Sequence, residues 1–278
     1  MRSRERCLLQ ISSLQNQRIK QLVNLSKRRE RDRRRLTVVE GVREISHALA
    51  AGLVPSEVYI CPEYCDEEGE QLITKLETFA ADQTAIFAVT PAVFAKIAYR
   101  GESGGLLMTI PYIALPLAQL TLSANPFLVI VEGVEKPGNL GAILRTADAV
   151  GVDGVIICAG GTDLHNPNVI RASLGALFTV PIAEADTGEM IQWLHDQGIQ
   201  IVAADPMATS YHMDAVLSGP VAVVLGSEAA GLTPQWLQAA DISVKIPMFG
   251  VVDSLNLSVA TAVMLYEVVR QRLNRTKL

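Results

Sequence analysis

The sequence has few of the features that mark membrane-spanning or secreted proteins. Its longest wholly apolar runs, at residues 127–131 and 221–225, have the length of a strand and fall well short of the ~20 residues needed to cross a bilayer. Arginines near the N-terminus give way to a few apolar residues and then to polar ones, so no secretory signal is indicated. We expect a cytoplasmic protein without a membrane span.

Cysteine and histidine are also scarce, and two common nucleotide-binding signatures are missing. Of the four cysteines only Cys61 and Cys65 are close together, and no second Cys or His pair lies at zinc-ligand spacing. Neither a P-loop nor a G-x-G-x-x-G fingerprint occurs. We expect reduced structural thiols, no metal, and neither an ATPase nor an NAD-dependent enzyme. The histidines given a structural or surface role are His47, His165, His195 and His212.

Positive charge is abundant in one segment alone. Residues 1–43 hold thirteen Lys/Arg and four Asp/Glu, a net +9, whereas the rest holds eleven and twenty-five, a net −14; together they give the total of −5. Such a segment is suited to a polyanion such as a nucleic acid, and a solubilising segment is the alternative. The predicted RNA-binding residues are Arg28, Arg29, Arg33, Arg34, Arg35 and Arg43.

An apolar fraction of 49% over 278 residues is enough for two modest cores. Short β-branched runs at 36–39, 58–60, 85–89 and 106–110 alternate with helical patterns at 42–51, 68–80 and 91–99, preceded by a helix at 14–25. This pattern predicts a small α/β domain over residues 1–112. A proline-containing stretch predicts a linker at 113–124.

The remaining residues, 125–278, carry the stronger pattern. Buried-type strands are predicted at 127–131, 155–158, 178–182, 199–203, 221–225 and 242–246, with helices between most of them. This predicts a mostly parallel sheet covered by helices. Ligands of such sheets bind beyond the carboxyl ends of the strands, so the loops that follow the strands are the candidate sites.

Polar groups follow three of these strands. After the first strand, Asn139 opens a helix on which Arg145 lies off the apolar seam; there it could hold a phosphate or an oxyanion, or simply face solvent. After the strand at 221–225, Gly226 begins a glycine-bracketed loop carrying Glu228, and this glycine would let a ligand approach the backbone. After the last strand, Ser254 is predicted to cap a long helix reaching about residue 272.

In this order, the three segments closely resemble the three motifs of the SpoU family of SPOUT RNA methyltransferases, over residues 125–278. Residues 166–178 (NPNVIRASLGALF) also resemble family sequence. The N-terminal part is similar, mainly through residues 37–44 (TVVEGVRE), to a ribosomal-protein-like substrate-binding domain. Lys136 stands where the family more often has Asn or Asp.

The resemblance implies an S-adenosylmethionine-dependent ribose 2′-O-methyltransferase acting on ribosomal or transfer RNA. It also implies a deep trefoil knot in the C-terminal domain, which general rules of chain connection would not predict. The helix at 254–272 is apolar over much of its circumference, and the family builds its site across a two-fold interface, so we expect a homodimer. The alternative is that this helix is buried within its own domain. The implied cofactor-binding residues are Leu225, Gly226, Ile246, Pro247, Met248 and Leu255.

By the same resemblance Arg145 is the principal catalytic residue, gripping the RNA phosphate and stabilising the developing alkoxide. Glu228 is expected to pair with Arg145 and orient it, across a hydrogen-bonded cluster that includes Asn139 and Asn256. The residues that match the family's supporting positions are Asn139, Glu228, Ser254 and Asn256. A non-catalytic RNA-binding protein of the same fold and an RNA base methyltransferase remain the alternatives.

Overall fold

The structure is a computed structural model that describes residues 9–79, 84–99 and 103–275, without the side chains of 77–79 and 275. The chain divides into two compact units, one of residues 1–112 with 165–171 and the other of residues 113–164 with 172–278. Within the described ranges no helix is long and apolar enough to span a membrane. The same ranges contain no group of three or more His, Cys, Asp or Glu side chains that could hold a metal ion.

The first unit is built on a five-stranded mixed sheet. Its strands are β1 (Leu9–Ile11), β2 (Leu36–Glu40), β3 (Glu57–Ile60), β4 (Ala85–Val89) and β5 (Leu106–Pro111), in the order β1-β4-β3-β5-β2. β4 pairs parallel with β1 and β3, while β5 pairs antiparallel with β2 and β3. The small N-terminal α/β domain is confirmed, and β1 is a strand that the sequence pattern did not predict.

Among the described residues up to 112, the helices are α1 (Gln17–Asn24), α2 (Arg28–Arg34), α3 (Val42–Ala50), α4 (Glu67–Phe79) and α5 (Pro91–Ile97). The Asn16 side chain caps α1 by accepting a hydrogen bond from the Arg18 amide. The buried α1 side chains Ile19 and Leu22 share a core with Phe94 of α5. The predicted helix at 14–25 is therefore confirmed over a shorter range.

The second unit contains a seven-stranded sheet in which every recorded strand pair is parallel. Its order is β10-β12-β9-β11-β6-β7-β8. Strands β6, β7 and β11 are buried along their whole length, as a parallel sheet covered on both faces requires. The strands are β6 (Phe127–Glu132), β7 (Gly154–Cys158), β8 (Ile182–Ala185), β9 (Gln200–Ala204), β10 (Ser210–Tyr211), β11 (Val221–Leu225) and β12 (Ile242–Lys245).

The helices after β6 are α6 (Pro137–Val150), α7 (Pro167–Ala172), α8 (Ala176–Thr179), α9 (Thr187–Asp196), α10 (Pro234–Ala239) and α11 (Leu257–Arg275). Pro137 opens α6 in its first turn and the left-handed Gly151 ends it, the preferred positions of the two residues. A side chain on Gly141 would overlap Ala172, so α6 packs closely there.

The predicted strand at 178–182 is wrong. Phe178 lies in α8, which starts after the left-handed Gly175, and β8 begins only at Ile182. A short apolar run does not distinguish a strand from a buried helical turn, and Pro181 has no amide hydrogen to donate to a strand ladder. The sequence pattern also missed β10. Residues 113–124, predicted as a linker, contribute Leu117 and Leu120 to the core of the second unit.

Candidate active site at the carboxyl edge of the parallel sheet

The predicted site residues of the second unit follow strands β6, β11 and β12. β6 and β11 are parallel neighbours in the middle of the sheet, and β12 is separated from β11 only by β9. Strand neighbours lie about 4.8 Å apart, and parallel strands end at the same edge. The loops from three distant parts of the sequence are thereby brought to one edge of the sheet.

Asn139 is the centre of the polar cluster. It lies in the first turn of α6 and is only 9% exposed. Its amide Nδ2 donates to Oε1 of Glu228, and its Oδ1 accepts from Nδ2 of Asn256 at 3.2 Å. Asn139 thus joins the loops that follow β11 and β12, and the predicted cluster of these three side chains is present.

Asn256 has a second role as the cap of α11. Its Oδ1 accepts hydrogen bonds from the amide of Ser258 at 3.0 Å and from its hydroxyl at 2.7 Å, and its carbonyl accepts from the Ala260 amide. This is the N-cap geometry, so the prediction that Ser254 caps the helix is wrong. α11 begins at Leu257, and Ser254 lies exposed in the preceding loop.

The loop carrying Glu228 is held closed by its own backbone. The amide of Ser227 donates to the Gly231 carbonyl and the Gly231 amide donates to the Ser227 carbonyl, at 3.1 and 3.0 Å. A Cβ on Gly226 would overlap the Gly231 backbone, so close packing within the loop already requires glycine there. Within the described part of the chain, Oε2 of Glu228 is buried and has no hydrogen-bond partner.

The expected pairing of Glu228 with Arg145 is absent. Arg145 is exposed on α6, and no hydrogen bond or ion pair joins it to another described residue. Glu228 is instead oriented by Asn139. The Arg145 guanidinium, with its planar set of N–H donors, is therefore available to an anionic ligand.

The residues predicted to hold the cofactor follow β11 and β12. Leu225 is buried, whereas Ile246, Pro247 and Met248 are half-buried. Leu255, one residue before the α11 cap, is also half-buried. Beyond Met248 the loop becomes exposed and apolar. Half-buried apolar walls beside backbone and a few polar groups are typical of cofactor pockets.

Lys136 occupies the N-cap position of α6, where it makes no side-chain capping bond. An ammonium group has no acceptor for the free amides of a helix start, whereas Asn or Asp would have one. The amides at the start of α6 consequently lack this side-chain acceptor.

Glu132, a further polar residue at this edge, was not among the predicted site residues. Glu132, the last residue of β6, is only 3% exposed. Its carboxylate accepts hydrogen bonds from the Thr233 amide at 2.8 Å, the Thr233 hydroxyl at 3.0 Å and the Thr187 hydroxyl at 3.2 Å. The signal was an acidic residue ending an otherwise apolar buried strand, since a buried carboxylate needs partners.

The described cysteines are free and poorly reactive. Burial raises the pKa of the Cys61 thiol to about 11 and that of Cys158 to about 12, and the charge of Glu132 adds to the latter. Burial also raises the pKa of Cys65. The reactive form is the thiolate, so these groups are not nucleophiles at neutral pH.

The predicted RNA-binding arginines lie in the first unit, mostly on α2. Arg31, within the same run, is 2% exposed and donates to the carbonyls of Leu25 and Ser26 at 2.6 and 2.8 Å. It therefore fixes α2 to the preceding turn. Arg34 is half-buried and bonds Gln21. The remaining predicted residues are exposed: Arg28, Arg29, Arg33, Arg35 and Arg43.

Both units match known protein families. Residues 126–266 match the SpoU rRNA Methylase family, and residues 16–107 match the MRM3-like substrate binding domain. An uncharacterized tRNA/rRNA methyltransferase of Synechocystis is 32% identical over 94% of each chain.

Two better-described proteins are also similar. The 23S rRNA (guanosine(2553)-2′-O)-methyltransferase RlmP of Bacillus subtilis is 25% identical, covering 92% of this chain and 98% of its own. The crystal structure of the SpoU methyltransferase AviRb from Streptomyces viridochromogenes, in complex with AdoMet, superposes with a TM-score of 0.85. That pair is 28% identical, with 93% of this chain and 98% of AviRb covered.

Proposed function

Because this chain belongs to the SpoU rRNA methylase family, we propose that it transfers a methyl group from S-adenosylmethionine to a ribose 2′-hydroxyl of ribosomal RNA. The observation that carries the proposal is the hydrogen-bonded series Asn256–Asn139–Glu228. It joins residues from all three sequence motifs at one edge of the sheet, beside the helix that presents Arg145.

The residues at this edge fit the cofactor. S-adenosylmethionine supplies, when bound, an electrophilic methyl group on a cationic sulfur. The buried Oε2 of Glu228 lacks a partner among the described residues, and an unpaired buried carboxylate oxygen is costly unless a polar or cationic group reaches it. Leu225, Gly226, Ile246, Pro247, Met248 and Leu255 would form the apolar and backbone walls.

Arg145 is assigned to the RNA. Its exposed guanidinium offers planar donors suited to a phosphate and to the negative charge that develops on the ribose oxygen. Asn139 holds the Glu228 carboxylate in one orientation, and Asn256 holds Asn139. Ser254, in the exposed loop before Leu255, is proposed to contact RNA or cofactor.

The first unit recruits the RNA in this proposal. The exposed arginines of α2, with Arg35 and Arg43, supply the phosphate contacts. Ribosomal RNA is proposed because RlmP, similar over nearly the whole chain, bears a name that specifies 23S rRNA. We place the protein in the cytoplasm, where ribosomal RNA and reduced thiols are found together.

We further propose a homodimer formed through α11. The exposed side chains of this helix include Val259, Tyr266 and Leu273, an apolar set that a second copy would cover.

Purified protein, labelled S-adenosylmethionine and ribosomal RNA from a strain lacking the gene would test the function. Nuclease digestion and mass spectrometry should yield one 2′-O-methylated nucleoside, and Asn139→Ala should reduce its formation at least tenfold. A methyl group found on a base would favour the base methyltransferase. RNA binding without any methyl transfer would favour the non-catalytic alternative.

A further inference from the structure

The Glu132 carboxylate links three elements of the second unit. It ends β6, whose next residues lead into α6, the helix of Asn139 and Arg145. Thr187 is the first residue of α9, and Thr233 directly follows the loop that carries Glu228. One buried group therefore joins the end of β6 to the far end of the loop after β11.

Thr233 is bound in a way that its helix does not explain. It occupies the N-cap position of α10 but makes no side-chain capping bond, although capping is the usual use of a threonine there. Both its amide and its hydroxyl are directed to Glu132 instead. The Thr233 side chain therefore does not cap α10, and its bonds to Glu132 fix the end of the loop instead.

The other end of that loop is already fixed. Leu225 pairs with β6 and β9 in the centre of the sheet, and the Ser227–Gly231 backbone bonds close the loop upon itself. Beyond Glu132, the segment after Gly231 is held by apolar packing, through Leu232 against the core and through the buried Trp236 of α10. Apolar packing is non-directional, so it keeps the segment on the core without fixing the orientation of the Thr233 backbone, which the bonds to Glu132 do fix.

The charge of Glu132 is satisfied without a cation. No ion pair of Glu132 is found among the described residues, and three neutral donors surround the carboxylate. A buried carboxylate in this position adds little to stability compared with an apolar residue. The Glu132 carboxylate instead orients the groups that donate to it, because hydrogen bonds fix direction as well as distance.

We infer that Glu132 is a positioning residue, which sets the loop of Gly226–Leu232 against the start of α6 and thereby sets the affinity for S-adenosylmethionine. The inference rests on the proposed function, since it takes that loop as part of the cofactor site. Glu132 need not touch the cofactor; it acts through Thr233.

The decisive comparison is between Thr233→Ala and Thr187→Ala. Each variant removes one hydroxyl donor to the same carboxylate, but only Thr233 is attached to the loop. Thr233→Ala should weaken S-adenosylmethionine binding by about three- to tenfold, the loss of one hydrogen bond. Both variants should lower the melting temperature to a similar extent, but Thr187→Ala should leave the affinity for S-adenosylmethionine unchanged. Calorimetric titration and thermal denaturation measure the two quantities.

Two substitutions of Glu132 itself complete the test. In Glu132→Gln the amide oxygen still accepts from the Thr233 amide and the NH2 donates to the hydroxyls, so cofactor affinity should stay within threefold of wild type. Glu132→Ala should weaken the affinity for S-adenosylmethionine tenfold or more and raise the KM for this cofactor, while the KM for RNA stays unchanged. Equal cofactor affinities for the two threonine variants would overturn the inference. Failure of the wild-type protein to bind S-adenosylmethionine would instead count against the proposed function.

Discussion

At the scale of single residues, the site depends on side chains that are oriented by other side chains. Asn139 uses both ends of its amide, one toward Glu228 and the other toward Asn256. Arg145, four residues after Gly141 on the same helix, is free of such restraint within the described chain and exposed. Chemistry on an RNA ligand is therefore best tested at Arg145, where a substitution disturbs the fewest internal contacts.

Arg145→Ala should reduce kcat/KM for methyl transfer by about 10²–10³, the usual loss when a donor to a developing oxyanion is removed. S-adenosylmethionine affinity and melting temperature should match wild type, because the side chain is exposed and makes no hydrogen bond or ion pair with the described residues. Arg145→Lys keeps the charge without the planar fork and should recover only part of the rate. Single-turnover kinetics with calorimetry would measure both effects, and undiminished turnover in Arg145→Ala would remove this residue from the mechanism.

At the scale of secondary structure, α2 combines two kinds of arginine in seven residues. Arg31 is turned inward and bonded to two carbonyls, whereas Arg28, Arg29 and Arg33 are turned outward. Arg29 and Arg33, four residues apart, share one face of the helix, and Arg31, between them in sequence, points to the opposite side. The single basic run therefore divides into a structural residue and a surface that faces solvent.

Replacing Arg28, Arg29 and Arg33 together with Gln should weaken RNA binding and lower the slope of log affinity against log salt by about 2, since up to three phosphate contacts are lost. Cofactor affinity should not change. The matched control replaces Glu67, Glu68 and Glu70 of α4 with Gln and should not weaken RNA binding. Arg31→Gln should instead lower the melting temperature. Filter binding at several salt concentrations measures the RNA affinity and its salt dependence. An unchanged slope of log affinity against log salt in the arginine variant would show that the basic run is only a solubilising surface.

The sequence predicted the parallel sheet, most strand positions and the residues that meet at its edge. Long apolar runs and glycine-marked loops carry strong local signals. It did not predict β10, whose two residues are too few for a pattern, or β8, where Phe178 and Pro181 obscured the start of the strand. Glu132 was missed because its partners, Thr187 and Thr233, lie far along the chain. Contacts between distant residues leave no local pattern. The trefoil knot likewise has no local signal in the sequence, and it stays a prediction that rests on the family resemblance.

At the scale of the whole molecule, the proposed dimer predicts a particle of twice 30.0 kDa by light scattering at micromolar concentration. Replacing Val259 and Tyr266 of α11 with Glu should shift the particle to the monomer, because two charges would be buried at the contact. The exposed apolar Val216, outside this helix, provides a control in Val216→Glu. A wild-type particle of only 30.0 kDa would contradict the dimer.

The strand order of the second unit also governs when that unit can be assembled. Val221 of β11 pairs with Phe127 of β6, so the two central strands come from remote parts of the polypeptide. Closing so long a loop costs chain entropy before any contact is gained, and sheets built from non-local pairs form slowly. During synthesis β6 cannot pair with β11 until β11 has left the ribosome. By then all five strands of the first unit have been synthesised and can pair with one another. The first unit is thus able to form its sheet while the second unit is still incomplete.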